Sequence, residues 1–270
     1  MRVSEWVAAT YFGYLVVVAW ALPGGVRRWT AAGASAGAAA AVFVSRLLPE
    51  SPTREVLRDW LPSIYLVVGY WLSGLYFVAP MKRVEAAFLE LDRKVLGTDV
   101  GSTLVQSLPR AVLELLEFSY ATCFLLVPGG MLALTLSGHG GAADRFWTLV
   151  LLGEFGSFAV LPWIQTRPPR VIEPAGAIDR RRLLMRGLNR LQVNTVSIGV
   201  NTFPSGHVAG ALATAIAVSE VLPSSAPWLV AVASAIAIAA VLGRYHYFID
   251  AVMGALLTLV AWVFVRQLWS

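Results

Sequence analysis

Charge is what this chain has least of. Only 14% of its 270 residues are charged, while 57% are hydrophobic; a soluble domain carries roughly a quarter charged residues. With a mean hydropathy of +0.68, the composition excludes an ordinary soluble domain and predicts an integral membrane protein. Cysteine is nearly missing too. The single Cys123 excludes an intrachain disulfide and, lying inside an apolar run, says nothing about compartment. Histidine is scarce, with three residues in all. Three histidines and one cysteine offer no cluster at metal-ligand spacing, so no metal and no cofactor are expected. The alternating pattern of a transmembrane barrel is missing, as are internal repeats, low-complexity tails and any nucleic-acid motif. Nucleic acid is therefore excluded as a partner.

What the chain has is long apolar runs. Lipid cannot satisfy an exposed backbone, so these runs should be helices. The expected architecture is an all-α polytopic bundle of about eight transmembrane helices. Residues 1–54 would hold two N-terminal spans, about Trp6–Leu22 and Ala31–Leu48. The first reads as a retained span and not as a signal peptide, because Arg2 is countered by Glu5. Residues 55–270 would form a six-helix core, with spans at about Trp60–Val78, Ala111–Leu136, Phe146–Ile164, Pro204–Val221, Trp228–Leu242 and Phe248–Leu268. Pro128-Gly129-Gly130 is expected to kink the second of these. Met81–Thr98 has apolar residues at helical spacing among charges and reads as an amphipathic surface helix. The tight turn at 223–227 makes the spans on either side of it antiparallel. The loops before Pro204 and before Phe248 then share one membrane face with the 79–110 connection.

The net charge of +5 is modest, but it collects in loops, which suggests anionic headgroups or an anionic substrate. The longest polar connection, 165–202, holds seven arginines. Those at 180–190 are expected to form a solvated basic face against lipid headgroups. His139, in a Gly-rich loop on the opposite face, reads as plain loop. For Glu117 and Glu154, inside apolar runs, a functional role and a hydrogen-bonded helix contact are equally weighted.

The chemistry gathers at two span mouths. Phe203-Pro204-Ser205-Gly206-His207 opens one, and Gly243-Arg244-Tyr245-His246-Tyr247-Phe248-Ile249-Asp250 opens the other. His246 and Asp250, four apart, stack on one helical face. A carboxylate there fixes the imidazole tautomer and leaves the other nitrogen free as nucleophile or base. Ser205 and Gly206 start a helix, whose free N–H groups attract an anion. Arg167 and Arg170 flank a diproline, and guanidinium forks suit phosphate oxygens. Together these describe a metal-free phosphoryl-transfer site.

The two stretches resemble the type 2 phosphatidic acid phosphatase superfamily, which includes lipid phosphate phosphatases, vanadium haloperoxidases and the inositol phosphorylceramide and sphingomyelin synthases. Pro204–His207 matches the family's P-S-G-H motif intact. His246 to Asp250 matches the H-x-x-x-D that ends its third motif. The resemblance covers about Trp60–Leu268. Two departures stand out. The first motif, a lysine, six residues and Arg-Pro, has Val160 at the lysine position before Arg167-Pro168. The third motif's arginine position is Ala240, and the nearest arginine is Arg244. These departures are more similar to the lipid phosphotransferase-like branch. The resemblance implies His246 as nucleophile, Asp250 as its orienter and His207 as general acid. It implies that Arg167, Arg170, Arg244, Ser205 and Gly206 bind phosphate, with no metal. The expected function is a membrane enzyme acting on a phospholipid or polyprenyl phosphate through a phosphohistidine. Hydrolysis is preferred. Transfer to an alcohol, and a catalytically silent lipid-binding relative, are the alternatives. The expected location is a multi-pass position in the plasma or inner membrane. Loop charge favours a cytoplasmic site and family precedent the other side. The lipid and the oligomeric state stay open.

Overall fold

Each apolar run folds as a helix. The computed structural model describes residues 1–22, 26–47, 49–97, 101–173 and 176–269. In chain order these hold α1 (Val3–Ala21), α2 (Val26–Val44), α3 (Pro52–Gly74), α4 (Lys82–Leu96), the short α5 (Ser102–Ser107), α6 (Arg110–Ala121) and α7 (Cys123–Leu136). Then come α8 (Ala143–Val160), the single turn α9 (Pro169–Ile172), α10 (Leu184–Thr195), α11 (Gly206–Val221), α12 (Ala226–Leu242) and α13 (Phe248–Leu268). Among the described residues the only β-type pairing is an isolated antiparallel bridge, Thr166 with Asn201. The chain is an all-α membrane helix bundle.

Helices stand at all eight expected span positions. Among the described residues three of them, α1, the Pro223–Leu242 helix and α13, are long and apolar enough to cross a bilayer unaided, and α6 with α7 adds a fourth if the bent pair is one span. The others differ for a physical reason. The centre of the bundle is α8, packed by α1, α3, α11 and α13. It carries Asp144 and Glu154 while burying most of its side chains, so protein and not lipid surrounds it. By contrast, Leu256, Leu259, Val260, Val263 and Phe264 of α13 are exposed along one flank, as a lipid-facing surface requires. The N-terminal helices join the same core, where Tyr11 of α1 stacks on Phe155 of α8 with centroids 4.1 Å apart. The ends expected at Leu48 and Thr98 lie outside the described residues.

The kink expected at Pro128 is elsewhere. The fourth run bends by 66° at Thr122, and α7 continues as helix through Pro128. Two hydroxyls bond back into the preceding turn there: Ser119 Oγ donates to Leu115 O at 2.9 Å and Thr122 Oγ1 to Ser119 O at 2.8 Å. Such back-bonding bends helices. The break lets Tyr120, just before it, and Phe124, just after it, both reach His207.

The three segments expected on one membrane face do meet. Glu85 of α4 binds Arg167, Asp92 of α4 binds the first N–H of α13, and Glu173 binds both Arg93 and Arg244. His139 is exposed, with Ser137 Oγ 3.2 Å from its ring nitrogen Nδ1.

Candidate active site

The site is built from two helix starts held against each other. Ser205 caps α11, its Oγ accepting the Val208 N–H at 3.4 Å. Its own N–H donates to Asp250 O at 2.9 Å, so the mouth of α11 is bonded to the first turn of α13. Gly254 permits this approach: a methyl there would stand 2.5 Å from Ser205 O. Carboxylates answer two of the unpaired N–H groups that every helix start presents. Asp250 Oδ2 accepts the Tyr247 N–H at 2.9 Å, and Asp92 Oδ1 accepts the Phe248 N–H at 2.8 Å.

The same Asp250 Oδ2 lies 3.4 Å from His246 Nδ1. A carboxylate neighbour places the proton on Nδ1 and leaves Nε2 with a free lone pair. Burial, followed by the charge of Arg170, pushes the His246 imidazole down to about 3, so it is neutral at physiological pH. The His207 ring stands edge-on to it, centroids 5.6 Å apart at 82°. Tyr120 and Phe124 meet the His207 ring at 5.6 Å and 5.0 Å, which fixes its orientation. Both histidines open on a narrow cleft of about 20 Å³, whose walls include Tyr70, Arg170, Thr202 and Tyr245. That is room for about one water molecule.

Arg170 is the cation of this cleft. The turn α9 carries it, anchored by its N–H to Arg244 O at 3.1 Å. Its guanidinium lies 5.5 Å from the Tyr245 ring centroid and donates to Tyr245 O at 3.4 Å. Among the described residues it has no carboxylate partner, and burial pushes it below its ordinary value. A half-buried, uncompensated guanidinium beside a neutral imidazole is a site for an anion.

The other residues expected to bind phosphate stand differently. Arg167 turns away from the cleft and forms a two-bonded pair with Glu85, Nε to Oε1 at 3.0 Å and Nη2 to Oε2 at 2.8 Å. Arg167 holds the Glu85 carboxyl below its usual range. Arg244 is buried, adopts φ 59°, and binds Glu173 Oε2 at 2.7 Å. Burial alone would raise the Glu173 carboxyl, but Arg244 and Arg93 outweigh it and hold it low. These two arginines tie the loops together and do not line the cleft. Ser205 is fully buried as the cap, and the Gly206 N–H is taken by Thr202 Oγ1 at 3.4 Å.

Two features were not legible as one in the sequence. Arg186 does not lie on a solvated basic face. It is buried and donates from Nη1 to Glu117 Oε1 at 2.9 Å and from Nε to Asp179 Oδ1 at 2.6 Å. The amphipathic pattern of α10 carries the reason: Arg186, Asn189 and Val193 face inward, while Leu184, Leu188 and Leu191 are exposed. Glu154 occupies the space that Gly206 and Gly210 leave behind α11; a methyl at Gly210 would stand 2.0 Å from its Oε1.

A model of the PAP2 superfamily matches residues 86–264. The chain belongs to the PAP2 superfamily. The match takes in α4 from Ala86 onward, both histidine motifs and Asp250, and supports phosphoryl transfer of the phosphatase type. No curated protein and no solved structure shows a significant match.

Proposed function

We propose that this PAP2 superfamily protein is a multi-pass membrane enzyme that cleaves the phosphate of a membrane lipid through a phosphohistidine at His246. The observation that carries the reading is the pairing of a neutral, Asp250-oriented His246 with an Arg170 that has no carboxylate of its own among the described residues. His246 Nε2 attacks phosphorus and the bond from phosphorus to the lipid oxygen breaks. His207 gives its proton to the departing alkoxide. Water then attacks the phosphohistidine, its proton returning to His207, and releases phosphate. Arg170 stabilises the phosphoryl oxygens in both steps, while the N–H groups of Ser205 and Gly206 stay bonded to Asp250 O and Thr202 Oγ1 and hold the mouth of α11 in place. Arg167 and Arg244 act at one remove, holding α4, α9 and the 243–247 turn in register. The reading uses no metal.

A second reading, transfer of the phosphoryl or phospho-headgroup to an alcohol, is favoured by Val160 and Ala240, which stand where the hydrolases of the superfamily carry a lysine and an arginine. Both readings share the covalent step and differ only in the acceptor. The test is purified protein incubated with a panel of phospholipids and polyprenyl phosphates, with and without a chelator and with and without an alcohol. Phosphate release that survives the chelator is expected. Product formed only when alcohol is present would establish transfer. No turnover under any condition would favour a silent lipid-binding relative.

A further inference from the structure

Glu117 is a carboxylate that the proposed chemistry does not use, yet three polar side chains converge on it. It sits in α6 within the membrane bundle, 1% exposed. Arg186 donates to its Oε1 at 2.9 Å. Asn189 Nδ2 and Tyr245 OH donate to its Oε2 at 2.7 Å and 2.6 Å. Arg186 Nη1 continues to Gly243 O at 3.1 Å. The cluster therefore grips both ends of the 243–245 turn, one by its backbone and one by its side chain. It also ties that turn to α10, whose Val193 walls the cleft.

Tyr245 joins this cluster to the reacting groups. Its ring stacks on Tyr120 at 3.9 Å and 8°, and Tyr120 abuts the His207 ring. Its carbonyl receives Arg170. Its next residue is His246. A buried anion bound by three donors is rigid, because each donor released would be left unpaired in a dry site. We infer that Glu117 is a positioning residue: it locks the Gly243–Tyr245 turn so that His246 and the Arg170 guanidinium meet the phosphate in register. This rests on the proposed role of His246.

Glu117→Gln tests it. The glutamine keeps the shape but offers one acceptor and one new donor to three donors. The expected result is a fall in kcat of about a hundredfold, the scale of a small misplacement of reacting groups. KM and competitive inhibition by orthophosphate should change less than kcat, since Arg170 keeps its charge and attraction to an anion tolerates a small displacement that in-line attack does not. Tyr245→Phe removes the hydroxyl's bond to the carboxylate and the longer one it accepts from Arg186 Nη1 at 3.3 Å, and leaves the ring on Tyr120. It should lower kcat by about tenfold, in the same direction. This second variant keeps the inference falsifiable if Glu117→Gln does not fold. Thermal unfolding in detergent reports the folded fraction, and kcat is expressed per folded molecule. A merely structural Glu117 would lower the unfolding midpoint and leave kcat per folded molecule at the wild-type value in both variants, which would overturn the inference. His246→Ala is measured alongside. If it keeps turnover, the proposed function fails. If it is inactive while Tyr245→Phe is as fast as wild type, only the positioning role fails.

Discussion

Arg170→Lys set against Arg167→Lys separates a phosphate ligand from a loop tie. Both changes keep the charge and remove the planar fork. Among the described residues the Arg170 guanidinium spends one of its five N–H groups on protein, a 3.4 Å bond to Tyr245 O. The rest stay available to phosphoryl oxygens at the cleft. Lysine offers a point charge and loses the paired contact at the transition state. Loss of one such donor costs about 10²–10³ in kcat, or about 2.7–4 kcal/mol. The Arg167 fork is already engaged with Glu85 at 2.8–3.0 Å, and its side chain is 36% exposed. Glu85 is itself only 4% exposed, so loosening this two-bonded pair should lower the unfolding midpoint, but Arg167→Lys keeps the charge and lies off the cleft, so kcat per folded molecule should stay nearly intact. The assay is steady-state hydrolysis of a soluble aryl phosphate by each variant in detergent, normalised to folded protein. Equal losses in the two variants, or a larger loss in Arg167→Lys, would refute the assignment of Arg170 as the phosphate ligand.

Three further outcomes follow from the same geometry. His207→Ala should slow cleavage of a lipid phosphate, whose alkoxide leaves poorly, by about 10²–10⁴-fold, and an aryl phosphate much less; equal defects on both would remove the case for His207 as the acid. Gly254→Ala drives a methyl to 2.5 Å from Ser205 O, so it should destabilise the fold by about 1–3 kcal/mol and lower turnover, as thermal unfolding and kcat would report. Asp92, on the surface helix α4, is pushed up to about 7, chiefly by burial. The folded state therefore holds this proton more tightly than the unfolded one, and the associated stability is lost as pH rises from about 4 towards neutrality. Asp92→Asn should gain on wild type across that window and then level off; a gap in unfolding midpoint that does not change with pH would contradict this.

The helices and the pairing of the two histidine motifs were legible in the sequence, because apolar run length and a four-residue His–Asp spacing each encode a geometry directly. The roles of the arginines were not. Arg167, Arg170 and Arg244 look alike beside prolines and glycines, and what distinguishes them is whether a distant carboxylate, Glu85 or Glu173, claims the guanidinium. Glu117 and Arg186 lie 69 residues apart, so an acid in an apolar run and a cation in a basic loop read as separate anomalies. The usable signal was the spacing of Arg186, Asn189 and Val193, which marks an inward face opposite the exposed leucines. The bend at Thr122 was hidden by Pro128, a stronger breaker on paper. The back-bonding of Ser119 and Thr122 depends on side-chain rotamers, which composition does not fix.

The central claim is that His246 becomes phosphorylated. Purified protein is mixed with substrate, quenched within milliseconds under alkaline conditions that preserve phosphohistidine, digested and read by mass spectrometry. The account predicts a phosphoryl adduct on His246 that is lost in His246→Ala and accumulates in a variant slowed at the second step. An adduct on His207 with none on His246 would contradict it.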